Sequence, residues 1–399
     1  MSDLISVGQA RAKVLERVWS LPLEQVALDS ALGRISAESV VSTAAVPPFD
    51  SAAMDGFAVP SGKAGELRIV GEARAGHTTA TELATGEAVR ISTGAAVPPN
   101  AHAVVPSEDV EQHPGSVAVP SVESGANIRR RGEAIPIGEA VIGPGADLGP
   151  AALGVLASVG RDRVNCSQRP RVAIIATGDE LTDPGGKLAP GHIWSSNPSA
   201  LAGQVRRAGG EIERALTVAD DPAATRTEIA AALGAADVVC ISGGVSIGPH
   251  DHVRSALTDL GVERVFWGVA LRPGKPTLFG TAESDGSRAL VFGLPGNPVS
   301  AMATFQLFVR PALRALQGTD PAASRMQAVL AQPVTRMAQR DQAVRCRLRP
   351  GKDAWHATPT GPQGSHVLTS MLKADALAIV EAGSGEVAAN ERVVVELLD

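Results

Sequence analysis

The stretch VVCISGGVSIGPHD, residues 238–251, opens on four apolar residues, the pattern of a strand buried on both faces of a parallel sheet. It breaks into Ser242-Gly243-Gly244, where glycines let backbone N–H groups approach a ligand closely. It closes on Asp251, between His250 and His252, at an expected helix start. Strand, glycine loop and helix start together form an anion site, because loop amides and helix N-termini carry partial positive charge. The same unit recurs on both sides. From residue 169 to 318, strand patterns at 172–176, 214–219, 237–241, 262–267 and 289–292 alternate with helical ones, which predicts a parallel sheet covered by helices. Asn197-Pro198, Asp221-Pro222 and Asn297-Pro298 each read as a capping residue followed by the first helical position.

Parallel sheets hold ligands beyond the carboxyl ends of their strands. The loops at 177–180, 220–221, 242–251 and 293–298 all fall there and gather Glu180, Asp220 and Asp251 among glycine amides, with Lys275 near by. Carboxylates repel an anionic ligand unless a divalent cation bridges them. A Mg²⁺-like ion between these carboxylates and a phosphorylated substrate is therefore expected. One carboxylate at a strand end reads as a helix cap; three at three strand ends point to a site.

Working outward, Ser6 and Gln9 form a capping box for a helix expected to run to about residue 19. Short strands follow at 26–28 and 39–42. In PPFDSAAMDGFAV, residues 47–59, the local reading of Asp50 and Asp55 is turn carboxylates, with Asp55-Gly56 as the turn signal. Residues 60–125 read as a small β-rich unit with strands at 67–70, 88–91, 103–106 and 117–119; after one of them, Ser92-Thr93-Gly94 offers a hydroxyl and amides to a ligand or forms a plain turn. Arg129-Arg130-Arg131 is the only dense basic cluster, either an oxyanion attractor or a solvated turn. A helix is expected at 148–160. The tail from 326 is β-rich, without a catalytic-looking cluster, and reads as a small barrel or interaction module.

At 399 residues the chain suits about two to four domains. No apolar run is long enough to cross a bilayer, and the first residues lack a secretory pattern. Cys166, Cys240 and Cys346 are spaced for neither zinc nor disulfides and read as buried cytoplasmic thiols. A net charge of −6 argues against general nucleic-acid binding. The absence of GxxxxGK[ST] and of the dinucleotide fingerprint sets a generic nucleotide-binding protein aside.

In chain order, PPFDSAAMDGFAV, ISTGAAVPP, NIRRRGE, ATGDEL, SGGVSIGPHD, RPGKP and GLPGNPVSA resemble the motifs of the MoeA/gephyrin family of molybdenum insertases, over essentially the whole length. The resemblance implies insertion of molybdate into adenylylated molybdopterin, assisted by Mg²⁺ or another divalent cation, with release of AMP. It implies a multidomain α/β plus β architecture: an elongated discontinuous domain (1–45 and 126–168), an inserted β-rich domain (46–125), a MogA-like α/β domain with a parallel sheet (169–318) and a C-terminal β-barrel (325–399). It also implies a cytoplasmic homodimer whose active site lies between the α/β domain of one subunit and the first domains of the other. Carried over by motif, Asp55, Thr93, Glu180, Asp220 and Asp251 are expected to be catalytic, with Glu180 and Asp251 as metal ligands. Arg129, Ser242, Gly243, Gly244, Ser246, Arg272, Lys275, Pro295, Gly296, Asn297 and Pro298 are expected to bind substrate. The chain departs from the family pattern at Ala134, Gly268 and Arg272, where Asp, Lys and Lys are usual. Those departures motivate an alternative, a gephyrin-like scaffold that binds a receptor or cytoskeletal protein through the C-terminal domain, near residues 350–362, and the dimer groove.

Overall fold

The structure, a computed structural model, describes residues 4–77, 81–244, 252–284, 287–322 and 324–398. Its centre is a six-stranded sheet in the order Glu211–Val218, Arg171–Thr177, Val238–Ser242, Ser287–Leu294, Leu278–Ser284, Glu263–Trp267. The first four strands are mutually parallel, as the alternation of strand and helix patterns predicts. The fifth is the departure: Leu278–Ser284 turns back antiparallel to Ser287–Leu294 and carries Glu263–Trp267 antiparallel at the edge. Its sequence hides it, because Gly280 interrupts the apolar run. A Cβ there would lie 2.7 Å from the Glu263 carbonyl oxygen, so close backbone approach is what requires the glycine. Phe266, Phe279 and Phe292 stack across these three strands, with ring centroids 5.6 and 5.0 Å apart.

The helix that follows Asn297 runs through Pro298–Thr304, a π turn at Phe305–Val309 and Arg310–Leu316. Pro311 has no N–H to return to the Leu307 carbonyl, and Arg11 Nε donates to that carbonyl at 3.1 Å. Arg11 belongs to the first helix, Val7–Leu15, which has the expected Ser6/Gln9 capping box but stops short of Trp19. Trp19 lies beyond its end, under the Arg288 guanidinium 4.7 Å from the ring centre.

Beyond the first helix the chain leaves and returns. Leu23–Ala27 pairs antiparallel with Arg163–Ser167, and Val40–Val41 with Ala140–Ile142. Between them lies a six-stranded sheet in the order Ala103–Pro106, Gly56–Val59, Glu87–Ile91, Gly65–Ala73, Ser116–Val119, Glu111–His113. At the far end of the chain, Asp341–Pro350, Trp355–Pro359, Arg325–Leu330, Arg392–Leu397 and Ala376–Val380 close on themselves as a five-stranded barrel. The three cysteines are buried and free, and burial pushes the Cys346 thiol up to about 12. Among the described residues no helix is long and apolar enough to cross a membrane.

Asp147 ties the returning segment to the α/β helices. Both its oxygens accept from the buried Arg314 guanidinium, at 2.9 and 2.7 Å, and that bond holds the Asp147 carboxyl below its ordinary value of 3.8. A carboxyl depressed in the folded state stabilises above its unfolded value, and the contribution disappears as the pH falls through the folded value. Asp147 is itself 59% exposed and Arg314 keeps Thr319 as a second acceptor, so with solvent screening Asp147→Asn is expected to cost about 1 kcal/mol or less near neutrality. Urea unfolding of both proteins should show the gap closing below about pH 4; a pH-independent gap would contradict the ion-pair account.

Candidate functional site

The carboxyl ends of the parallel strands enclose a crevice of roughly 510 Å³. Its floor is the Ser242-Gly243-Gly244 turn. Gly243 and Gly244 have φ of 96° and 58°, and a Cβ on either would collide, with the Thr177 carbonyl oxygen at 2.5 Å or Val253 Cγ2 at 2.6 Å. Only glycine lets the turn fold down onto the neighbouring strand. Ser242 is buried beneath it, and its hydroxyl donates to the Pro295 carbonyl at 3.2 Å. Asn197 Nδ2 donates to Ser242 Oγ and to the Gly296 carbonyl, both at 2.7 Å. Asn197, expected as a helix cap, is instead the first residue of Asn197–Arg207; the cap position is Ser196, which makes no side-chain cap hydrogen bond. Its amide locks the glycine turn to the Pro295-Gly296-Asn297-Pro298 loop, which forms the opposite lip of the crevice.

Two carboxylates face this space. Glu180 folds over Gly178, where a Cβ would lie 2.5 Å from its Oε2. The Asp220 carboxyl is raised above its ordinary value, first by burial and then by the charges of Asp179 and Glu180. Asp179 fixes the loop by accepting from the Asp220 backbone N–H at 2.9 Å. Ser246 and Asp251 lie outside the described residues. Among the described residues, no three metal-binding side chains gather on one point.

Of the two basic residues in RPGKP, Lys275 is exposed at the edge of the crevice, next to the lining residue Pro276. Arg272 lies with Arg345 on a second cavity of roughly 320 Å³, between this loop and the barrel. Arg345 is wholly buried and, among the described residues, has no carboxylate partner; Nε donates to Ser370 Oγ at 3.0 Å and Nη2 to the Pro362 and Gly364 carbonyls. Burial lowers its guanidinium to about 10. The sequence reading missed Arg345 because Ala343, Val344 and Cys346 around it make an ordinary buried strand, and nothing local marks the arginine as buried with them.

The remaining expected residues form a separate group. Asp55 accepts from the Thr93 N–H at 2.7 Å and the Thr93 hydroxyl at 3.1 Å, bonds that hold its carboxyl below the usual value. Asp50 accepts from Arg130 Nη1 at 2.7 Å and the Arg131 N–H at 2.8 Å, which leaves Arg129 exposed beside them. Asp50 is thus more than a turn carboxylate: it spends one of the three arginines on structure. Asp55, Thr93 and Arg129 do not line the crevice of their own chain. The departures are also visible. Ala134 is exposed, and Gly268 sits at φ 92°, a conformation unfavourable to a lysine, with Leu4 Cδ2 2.8 Å from where a Cβ would be. The left-handed backbone and the nearby Leu4 side chain are a physical reason for glycine at 268.

Three family models match in succession: the MoeA N-terminal region (domains I and II) over residues 5–160, a probable molybdopterin-binding domain over 173–315, and the MoeA C-terminal region (domain IV) over 327–398. The chain is 33% identical to a molybdopterin molybdenumtransferase of Haemophilus influenzae, with 98% of each chain covered. It is 35% identical to molybdopterin molybdenumtransferase 2 of Mycobacterium tuberculosis, covering 97% of this chain and 98% of the relative. A solved molybdopterin biosynthesis MoeA protein from Pyrococcus horikoshii superposes with a TM-score of 0.84 at 28% identity, over 99% of this chain and all of that one. The scaffold alternative has no support in these relatives, which are named for the transferase or for molybdopterin biosynthesis.

Proposed function

Because the chain belongs to the MoeA family of molybdopterin molybdenumtransferases, we propose that it inserts molybdate into adenylylated molybdopterin and releases AMP with the finished cofactor. The observation that carries this reading is the pairing of a glycine-lined crevice with carboxylates that repel one another inside it. Glu180 and Asp220 offer hard oxygen donors, and their mutual repulsion is relieved by a divalent cation, so this corner fits Mg²⁺. Bound there, such an ion would neutralise charge on the adenylate phosphates. The chain's own part is positional. Asn197 and Ser242 hold the two loops at a fixed separation, and the glycine turn leaves room for phosphate oxygens. Lys275, Arg272 and Arg345 supply positive charge on the side toward the barrel, where an incoming oxyanion is attracted.

Asp55, Thr93 and Arg129 make a second half-site, apart from the residues that line the crevice of the same chain. We take the working enzyme to be a cytoplasmic homodimer in which that half-site closes over the crevice of the partner subunit. The test is molybdate-dependent AMP release by the purified protein with Mg²⁺ present; a rate no higher than the uncatalysed background would sink the function. Asp55→Asn and Glu180→Gln chains, each inactive alone, are expected to regain about a quarter of wild-type activity when mixed and allowed to re-dimerise, since one site in each mixed dimer is intact. No recovery from proteins shown to exchange subunits would place both residues in one chain's site.

A further inference from the structure

Eleven aromatic side chains serve the whole chain, seven Phe and four Trp with no Tyr, and most of the phenylalanines are buried in cores. Against that economy, Trp194 is 54% exposed at the mouth of the crevice and its neighbour Ile193 is 57% exposed. The ring is held in place. Its only polar atom is spent, Nε1 donating to the Gly186 carbonyl at 3.1 Å. Its backbone is pinned on both sides, by Ile193 N–H to the Glu180 carbonyl and Ser195 N–H to the Thr182 carbonyl, each at 2.8 Å. Ile193–Trp194 runs parallel to Leu181–Thr182, so the indole moves with the loop that carries Glu180. Trp19 and Trp267 each have an arginine stacked on a face, Arg288 at 4.7 Å and Arg254 at 4.9 Å. Among the described residues no cation covers Trp194.

We infer that Trp194 is a stacking platform for one of the planar fused-ring heterocycles of the adenylylated substrate, a role that rests on the function proposed above. A rigid, wet indole with its N–H already satisfied has nothing to offer but its π face. The substrate carries such a ring at each end of its phosphates, and the crevice beside Trp194 is the place for phosphates. Pro276, Pro295 and Pro298 add apolar lining to the same crevice. Stacking is indifferent to hydrogen-bonding edges, so the indole alone serves pterin or adenine, and the experiment separates them.

Equilibrium dialysis of AMP and, separately, of molybdopterin against the full-length protein gives two affinities for wild type, Trp194→Ser and Trp194→Phe. The expected result is that one ligand binds Trp194→Ser about 10- to 100-fold more weakly, with most of the affinity returned by phenylalanine. The ligand that loses affinity names the ring. Binding of that ligand should quench indole emission in wild type and not in Trp194→Phe, where the other three tryptophans remain as internal controls. Equal affinities in all three proteins would overturn the platform, as would equal losses for both ligands. A loss seen only where sedimentation shows dimers falling apart would make Trp194 an interface residue and overturn it too. Wild-type protein that binds neither ligand would fail the function itself, and the platform with it.

Discussion

Glu396→Ala is expected to destabilise the folded chain by about 3–5 kcal/mol, the range for removing one partner of a buried ion pair. Glu396 is 3% exposed, on the last strand of the barrel. Its Oε1 accepts from Arg11 and from Arg325, each at 2.7 Å. Arg11 is the residue whose Nε donates to Leu307 in the π turn, so the carboxylate holds together the first helix, the helix through Pro311 and the barrel. Without it, the Arg11 guanidinium, 13% exposed, is left largely out of water without this countercharge, while Arg325, 38% exposed, keeps part of its hydration. Urea unfolding followed by far-UV circular dichroism is the measurement. A midpoint within error of wild type would mean that water or another acceptor already satisfies the arginines. Glu396→Gln should fall between, because it keeps the shape and one acceptor but not the charge.

Gly56→Ala is expected to be as damaging, at about 4 kcal/mol or more, the range reserved for core clashes that cannot relax. Gly56 pairs with Ile91 on one side and Pro106 on the other. A Cβ at this position would lie 2.0 Å from the Val105 carbonyl oxygen and 2.8 Å from its carbon. Those are backbone atoms in a paired strand, so the methyl group is accommodated only by parting Gly56–Val59 from Ala103–Pro106. The adjacent Asp55 would then leave the Thr93 N–H and hydroxyl that orient it. The variant should therefore lose cofactor formation as well as stability. Hydrogen exchange confined to residues 56–119 would separate local opening of this sheet from global unfolding, and unchanged protection there would refute the clash argument.

Gly56 also shows where sequence reading reaches its limit. Asp55-Gly56 reads as a turn because Asp-Gly is a strong turn signal, yet the glycine belongs to a strand and is required by a neighbour 49 residues away at Val105. Gly280 misleads in the same direction and conceals the antiparallel hairpin. The parallel core, by contrast, was legible, because buried strands followed by cap-proline helix starts are local patterns. Much of the crevice was legible for the same reason: its loops at 177–180, 220, 242–244 and 295–298 follow such strands, whereas Ile193–Asn197 and Pro276 reach it from elsewhere. Arg345, the bracing role of Asn197 and the exposure of Trp194 were not, since each depends on what the fold brings to a residue from a distance. Asp55 gained a site role only through the resemblance, while local sequence left Thr93 and Arg129 between ligand contact and plain turn; none of the three lines the crevice with Glu180 and Asp220.

The pairing of Leu23–Ala27 with Arg163–Ser167 has a consequence for biosynthesis. As the chain leaves the ribosome, the first strand must wait on the order of ten seconds for its partner, at typical elongation rates. The inserted sheet, Gly56–Val59 through Ser116–Val119, lies wholly within that interval and has all its own strands. It can fold as a nascent unit and bring the two flanking segments together, so that the later closure spans a short gap instead of a long loop. A lesion in the inserted sheet would then be felt first as a failure of residues 23–27 to find their partner, well before any catalytic group is made.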